Sequence, residues 1–175
     1  MSYEYPNLRF PERLRYGDDV CGPRAAWLVL RQFGIRTTVR RLLRLADYTY
    51  ENGTYAIGLA VALHELGLAV VFQTDPDPSQ APREPALYAR ATQLGILIGR
   101  PFRTQTLIRH ARAGRPSIVL YAREKDAHFA VVRGNDRRRV LLSDSWMDIH
   151  RLDQRRASPG CLRQTILVLG RQAAV

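Results

Sequence analysis

One segment near the start of the chain carries apolar residues at helical spacing. It reads DDVCGPRAAWLVLRQFG, residues 18–34, and predicts a helix with one apolar face. Pro23 suits the first turn of this helix, and Gly34 suits the position just past its end. The apolar face consists of Ala25, Ala26, Leu28, Val29, Leu30 and Phe33.

Helical patterns with their own start and stop signals continue through the first two thirds of the chain. Threonines precede two of them and are the residue type that caps helix N-termini, because a hydroxyl accepts a hydrogen bond from a free backbone N–H. Glycines follow two of them and favour helix ends. The predicted helices run from Thr37 or Thr38 to about Ala46, from Thr54 to Gly67, over about 86–94 and over about 104–113.

Short apolar runs bounded by turn residues predict strands, mostly in the last third of the chain. The run LAVVFQT at 68–74 is the exception, and a Pro-rich connecting loop follows it at 75–85. A hairpin is predicted over 128–142, with its turn at 134–136. Two further strands are predicted: one over 116–121, which starts the sheet half, and one over 164–169, which would close it.

Length and composition favour a single domain. The chain has 175 residues, a usual size for one core, and no window approaches the about 18 uninterrupted apolar residues of a membrane span. The N-terminal segment MSYEYPNLRFPER has no apolar signal region, so we expect a cytoplasmic protein and no membrane partner. Cys21 and Cys161 are too few for a disulfide framework, and Cys161 is interpreted as a core or strand-edge thiol. The histidines are scattered, and no metal or other cofactor is expected.

Basic residues outnumber acidic ones, 27 to 16, which gives a formal net charge of +11. All but one of the basic residues are arginine, and they recur in every segment. Two local clusters, RRR at 137–139 and RLDQRR at 151–156, could contact phosphates, an acidic peptide or only water. Because the chain has no nucleic-acid-binding motif, a solvated surface is the favoured interpretation and nucleic-acid binding is the alternative.

Cys21 stands at the N-terminal edge of the predicted helix 18–34. Free backbone N–H groups and the positive end of the helix dipole favour negative charge at that place, so a thiol there is a candidate nucleophile. Gly22 has no side chain to crowd a group that approaches the sulfur. The simpler alternative is a buried structural cysteine, because free cysteine behaves mostly as a small hydrophobe.

The predicted hairpin offers partners for this thiol. His128 begins its first strand, and Asp144 follows its second strand sixteen residues later. Antiparallel pairing brings the two side chains to the same end of the ladder, where a carboxylate can orient an imidazole. Cys21, His128 and Asp144 then have the roles of nucleophile, general base and orienting acid. Taken singly, His128 and Asp144 are more simply a strand-end histidine and a turn residue.

At these residues the chain resembles the papain-like cysteine peptidases of the bacteriocin-processing type, which remove double-glycine leader peptides, and their free-standing peptidase-like relatives. The resemblance covers roughly residues 15–146. It implies an α+β fold in one domain spanning 1–175, with a helical half at about 15–113 packed on an antiparallel sheet at about 114–170. It also implies catalysis by Cys21, His128 and Asp144. The matching blocks are CGPRAAWLVLRQFGI, ENGTYAIGLAVALHELGLAV, ARAGRPSIVLY, AHFAVVRG and LLSDSW.

The chain departs from this family at two positions. Relatives usually carry a glutamine six residues before the cysteine as an oxyanion donor, and here that position is Arg15. Loss of such a donor typically costs about a hundredfold or more in rate, although a guanidinium also offers N–H donors. Ser145 stands where relatives commonly have proline after the acid, and this change is milder because serine also favours turns.

Three functions are therefore compatible with the sequence. The first is a cysteine peptidase or amide hydrolase that acts on a peptide or protein substrate. The second uses the same acyl-enzyme for transfer to an amine or a thiol. The third is an inactive relative that binds a peptide or a nucleic acid, which the substitution at Arg15 and the basic charge make credible.

Overall fold

A computed structural model describes residues 10–15, 19–123 and 126–173 of the chain. After a short 3₁₀ helix at Glu12–Leu14, these residues form helices and strands in a mixed order. The helices are α1 Cys21–Gln32, α2 Val39–Leu45, α3 Ala56–Glu65, α4 Glu84–Gln93, α5 Thr104–Arg112 and α6 Ile149–Arg156. The strands are β1 Leu68–Gln73, β2 Leu97–Gly99, β3 Ser117–Ala122, β4 Ala127–Asn135, β5 Arg139–Leu142, β6 Trp146–Asp148 and β7 Thr165–Arg171.

The strands form one sheet in the order β2-β1-β7-β3-β4-β5-β6. Among the strands of the described ranges, β1 and β2 pair in parallel, and the other neighbours are antiparallel. The last strand along the chain, β7, therefore lies in the middle of the sheet, between β1 and β3. The predicted division at residues 113 and 114 does not separate helices from strands, because β1 and β2 come from the first part and α6 from the second.

Side chains of the central strands alternate between two apolar cores, as the pleat requires. On one face, Ile118, Phe129 and Val131 pack in a core that contains the buried sides of α1 and α3. On the other face, Val119 and Ala130 pack with residues of α5 and α6. Helices thus cover both faces of the sheet. None of the helices in the described ranges has the length and apolar character needed to cross a bilayer.

The helix and strand predictions for the first part of the chain are mostly confirmed. Helix α1 occupies the predicted segment, and Gly34 after it has φ = +65°, a conformation that favours glycine. Thr38 caps α2 through its side chain, which accepts from Arg41 N. The expectation that Thr54 caps α3 is wrong, because Tyr55 occupies the N-cap position and makes no side-chain capping bond. The short elements β2, β6 and α6 were not predicted.

The interpretation of the 151–156 cluster as a solvated surface is wrong at one residue. Arg156 lies in α6 and is 1% exposed. Its guanidinium donates to Phe102 O at 3.1 Å, Thr104 Oγ1 at 3.2 Å and Thr165 Oγ1 at 3.0 Å. A buried charge requires hydrogen-bond partners. By bonding to residues of α5 and β7, the guanidinium of Arg156 on α6 connects these three elements in the interior.

Candidate active site

Cys21 is the first residue of α1 and is buried. The residue before it, Val20, is the N-cap and makes no side-chain capping bond, and the first turn contains no acidic residue. Among the described residues no side chain caps this end of α1, so the N–H groups of its first turn are candidate donors near the sulfur. The predicted position of Cys21 at a helix N-terminus is confirmed.

His128 and Asp144 meet at one end of the β4–β5 hairpin. His128 lies on β4, Asp144 follows β5, and Nε2 of the histidine is 2.7 Å from Oδ2 of the aspartate. Since a carboxylate only accepts, the histidine donates this hydrogen bond. The His128 side chain is 10% exposed and the Asp144 side chain 39% exposed, so the acid is the more exposed member of the pair. The expected contact between the two residues is confirmed.

Cys21 lies close enough to His128 to contribute, with Asp144, to the raised pKa of the ring. Because Nε2 is engaged by Asp144, the nitrogen left for the sulfur is Nδ1. Burial opposes the charged ring, but the influence of Asp144 and Cys21 outweighs it and raises the pKa of His128 to about 9. For Asp144, burial alone would raise the pKa, but the hydrogen bond and charge of His128 lower it below its ordinary value. The ring is therefore an imidazolium at neutral pH, close to the Asp144 carboxylate and the Cys21 sulfur.

Neighbouring side chains hold the histidine and the acid in place. Tyr121 pairs with His128 across β3 and β4, and their ring centroids are 5.5 Å apart in an edge-to-face arrangement. Tyr121 is almost fully buried, and its pKa is raised, first by burial and then by the charge of Asp144. The Ser145 hydroxyl donates to Oδ1 of Asp144 at 3.2 Å. Tyr121 was not predicted as part of the site, because a tyrosine inside an apolar strand is typical of a core residue.

A cavity of about 800 Å³ opens beside Cys21 and His128. Asp19 and Glu51 lie on its wall near the start of α1, and the Tyr48 hydroxyl donates to Asp19. Arg123 and Arg155 lie on the wall near the β3–β4 turn and α6. Glu51 and Arg123 had no signal in the sequence, and Arg155 was noted only as part of the basic cluster at 151–156, because only folding brings these residues to one cavity.

Two further polar residues of the cavity wall are buried: Thr54 and Gln164. Thr54 was interpreted as a helix cap, and Gln164 as the start of the last predicted strand. Thr54 lies just before helix α3, where a capping threonine is expected. Nothing in the local sequence distinguishes a threonine that caps a helix from one that lines a cavity.

The Arg15 side chain is exposed, and this residue ends the short 3₁₀ helix. Its carbonyl accepts a hydrogen bond from Arg24 at 3.2 Å. Arg15 is not among the described residues that line the 800 Å³ cavity. Its role as a replacement oxyanion donor stays a prediction.

Cys161 has a different environment from Cys21. It is a free thiol in the connection between α6 and β7, partly buried, with its sulfur 3.8 Å from Leu162 O. Burial raises the pKa of Cys161 above its ordinary value, so this thiol ionises less easily than an exposed cysteine. In the described parts of the chain, His, Cys, Asp and Glu side chains form no group of three that could hold a metal ion.

Comparison with known proteins finds similarity at the level of structure. No family model matches the sequence, and no curated protein matches it significantly. Among solved structures, the chain is similar to the crystal structure of the peptidase domain of Streptococcus ComA, a bifunctional ABC transporter involved in a quorum-sensing pathway. The TM-score is 0.54 at 18% sequence identity, over 88% of this chain and 94% of that chain. The chain therefore has the predicted α+β, papain-like fold.

Proposed function

We propose that this protein is a cysteine peptidase, or a related amide hydrolase, that acts on a peptide through Cys21, His128 and Asp144. The observation that carries the proposal is the 2.7 Å hydrogen bond between His128 and Asp144, with Cys21 next to His128 on the wall of a cavity large enough for a peptide segment. The fold shared with the ComA peptidase domain supports it in general terms. We also propose that the chain belongs to the double-glycine leader peptidase type.

The geometry fits acyl transfer in two steps. The Cys21 thiolate attacks the carbonyl carbon of the scissile amide, and the His128 imidazolium gives its proton to the departing amine as the C–N bond breaks. Water then attacks the thioester, neutral His128 takes a proton from this water, and the acid product leaves as the Cys21 thiolate and the His128 imidazolium are regenerated. Asp144 holds the ring through Nε2 during both steps. An amine or a thiol in place of water would make the protein an acyltransferase.

The backbone N–H at the start of α1 is one donor for the oxyanion of the tetrahedral intermediate. Arg15 stands at the position where the related peptidases carry glutamine, but its side chain is exposed and does not line the cavity, so a second donor there requires the guanidinium to turn toward Cys21. If the Arg15 guanidinium reaches the oxyanion, Arg15→Ala lowers the rate by about a hundredfold or more, and Arg15→Gln retains or improves it.

The test is formation of an acyl-enzyme with a panel of activated peptide esters, followed by mass spectrometry. We expect an adduct on Cys21 in the wild type and in Cys161→Ser, the matched control, but none in Cys21→Ser. His128→Ala should slow formation of the adduct markedly, because the imidazolium that favours the thiolate is lost. Absence of any Cys21 adduct in the wild type, with none gained in Arg15→Gln, would favour an inactive relative that binds a peptide or a nucleic acid.

A further inference from the structure

Gln164 is the polar member of a row of side chains at one end of the sheet. Its backbone carbonyl accepts from Leu120 N at 3.0 Å, which extends the pairing of β7 with β3 by one residue. Leu120 in turn pairs with Phe129 on β4. Side chains opposite each other on antiparallel strands share a face, so the three residues form one row on the face covered by α1. All three line the cavity beside Cys21 and His128.

The side-chain amide of Gln164 has no hydrogen-bond partner among the described residues, and the residue is 6% exposed. It differs from the unpartnered groups of the described residues that no solvent reaches, such as Thr54 Oγ1 and Ser117 Oγ. An unpartnered amide that solvent does reach, on a residue of the cavity wall, is open to the cavity. Because polar groups in protein interiors are paired as a rule, this amide is a contact point for a ligand that occupies the cavity.

The row sets the distance between Gln164 and the candidate nucleophile. A Cβ placed on Gly22 would lie 3.1 Å from Phe129 Cδ2, so the first turn of α1, which begins at Cys21, packs on the Phe129 end of the row. Gln164 adjoins β7, two strands from β4, and neighbouring strands are about 4.8 Å apart, which gives about 10 Å across the sheet. An extended peptide advances about 3.3 Å per residue, so this distance corresponds to about three residues.

The Gln164 amide selects the kind of ligand group because it has both a donor and an acceptor. Its NH₂ group donates, and its carbonyl oxygen accepts. A carboxylate or a phosphate only accepts, and an ammonium or a guanidinium only donates, so each of these would leave one half of the amide unpaired. In an extended peptide, the N–H and C=O of one residue point to the same side, as they do in a sheet. One such residue pairs with both halves of the amide.

We propose that the Gln164 amide binds the main-chain N–H and C=O of one residue of an extended peptide substrate, about three residues from the scissile bond. The inference rests on the proposed function, because the peptide has to lie with its scissile bond at Cys21. Gln164 touches the substrate away from the reacting atoms. Its loss should therefore raise Kd and KM and leave kcat nearly unchanged.

The test compares two substitutions of Gln164. Gln164→Met removes both halves of the amide and keeps the length of the side chain, whereas Gln164→Glu keeps the shape and an acceptor but loses the donor. Gln32→Met is the matched control, because Gln32 is exposed on α1 and does not line the cavity. We expect the melting temperature of Gln164→Met to equal that of its parent, because no side-chain hydrogen bond of Gln164 with a described residue is lost.

Binding is measured by fluorescence anisotropy with a fluorescein-labelled peptide that has residues on both sides of a Gly-Gly pair. Every protein in the binding series also carries Cys21→Ser, so the peptide is not cleaved. A second set of peptides has an ester in place of one main-chain amide at a time, which removes a single N–H. Cleavage of the all-amide peptide by the same proteins with Cys21 intact gives KM and kcat.

For Gln164→Met we expect binding of the all-amide peptide to weaken about tenfold, with a similar rise in KM and an unchanged kcat, and no change for Gln32→Met. One ester, about three residues from the scissile bond, should weaken binding when residue 164 is glutamine or glutamate and have no effect in Gln164→Met. Equal affinity in Gln164→Met and its parent overturns the inference. The same follows if no ester acts through Gln164, or if the parent does not bind the peptide.

The failure of this inference and the failure of the proposed function give different results. Acylation or cleavage at Cys21, together with peptide binding that does not depend on Gln164, would overturn the inference and leave the hydrolase standing. Peptide binding that depends on Gln164, without acylation of Cys21 by the activated esters, would overturn the hydrolase and leave the peptide contact standing.

Discussion

The His128 ring shows how a polar side chain is kept charged in a mostly buried place. Its 10% exposed side chain would lose its proton more readily than a free histidine if burial acted alone. Asp144 and Cys21 reverse that tendency and raise the pKa of His128 to about 9 from an ordinary value of 6.5. Tyr121 adds a packed ring but no charge at neutral pH, since its own pKa is raised.

The raised pKa of His128 predicts an alkaline loss of stability. A histidine with a higher pKa in the folded state stabilises that state fully below its ordinary pKa of 6.5, and the contribution disappears as the pH rises through about 9. We expect the difference in unfolding free energy between the wild type and His128→Gln to be largest at mildly acidic to neutral pH and to shrink above it. Urea unfolding monitored by circular dichroism at several pH values measures this difference.

The control for this experiment is His150→Gln, since His150 is exposed on α6 and contacts Gln154. The difference in unfolding free energy between the wild type and this control should not shrink as the pH rises toward 9. Asp144→Asn should move the change toward lower pH, because it removes the strongest hydrogen bond that holds the proton on His128. A difference in unfolding free energy between wild type and His128→Gln that does not depend on pH would contradict stabilisation by the His128–Asp144 ion pair.

The first three helices differ in whether a side chain caps the N-terminus. Thr38 caps α2 by accepting from Arg41 N at 3.1 Å. Neither α1 nor α3 has a side-chain cap, and both begin at the cavity that holds Cys21. Helix ends without caps are less stable, and such local departures from the usual preferences are expected at functional sites. The pattern agrees with a site that leaves N–H donors free for a bound substrate.

The capped helix allows a direct comparison of two adjacent threonines. Thr38→Val removes the capping bond of α2 and should lower the unfolding free energy by about 1 kcal/mol. Thr37→Val removes a buried hydroxyl that has no partner, so it should be neutral or stabilising. Urea unfolding of both variants at one pH checks the prediction. Equal losses in the two variants would show that the capping bond does not set the stability of α2.

Strand β7 lies in the middle of the sheet and connects its two parts. β7 pairs with β1 on one side and with β3 on the other, so it links the strands from the first half of the chain to the C-terminal hairpins. Its buried residues Ile166 and Val168 also belong to the core that contains α1 and α3. Removal of this strand would leave two edges of unpaired backbone groups and expose part of that core.

A chain that ends at Arg163 should therefore fail to fold cooperatively. The control is a chain that ends at Ala173, which keeps β7 and the bond from Gln172 N to Gly67 O. Circular dichroism and urea unfolding distinguish the two, and we expect a cooperative transition only in the control. A cooperative transition with a similar midpoint in the shorter chain would show that the two parts of the sheet fold independently of β7.

Sequence alone determined the features that depend on neighbours along the chain. Apolar spacing and end signals located α1, α2, β1 and the β4–β5 hairpin, because helix and hairpin formation use contacts a few residues apart. The hairpin also predicted the contact between His128 and Asp144, since a tight turn sets the register of both strands.

Only the tertiary structure decided the features that join distant segments. It placed β7 between β1 and β3, buried Arg156 against Thr104 and Thr165, and left the Thr54 hydroxyl unpaired against Gly22. A threonine before a helix and an arginine in a basic cluster look the same locally whether they are solvated, capping or buried. Their roles depend on which surfaces pack together, and that packing is set by the sum of many long-range apolar contacts.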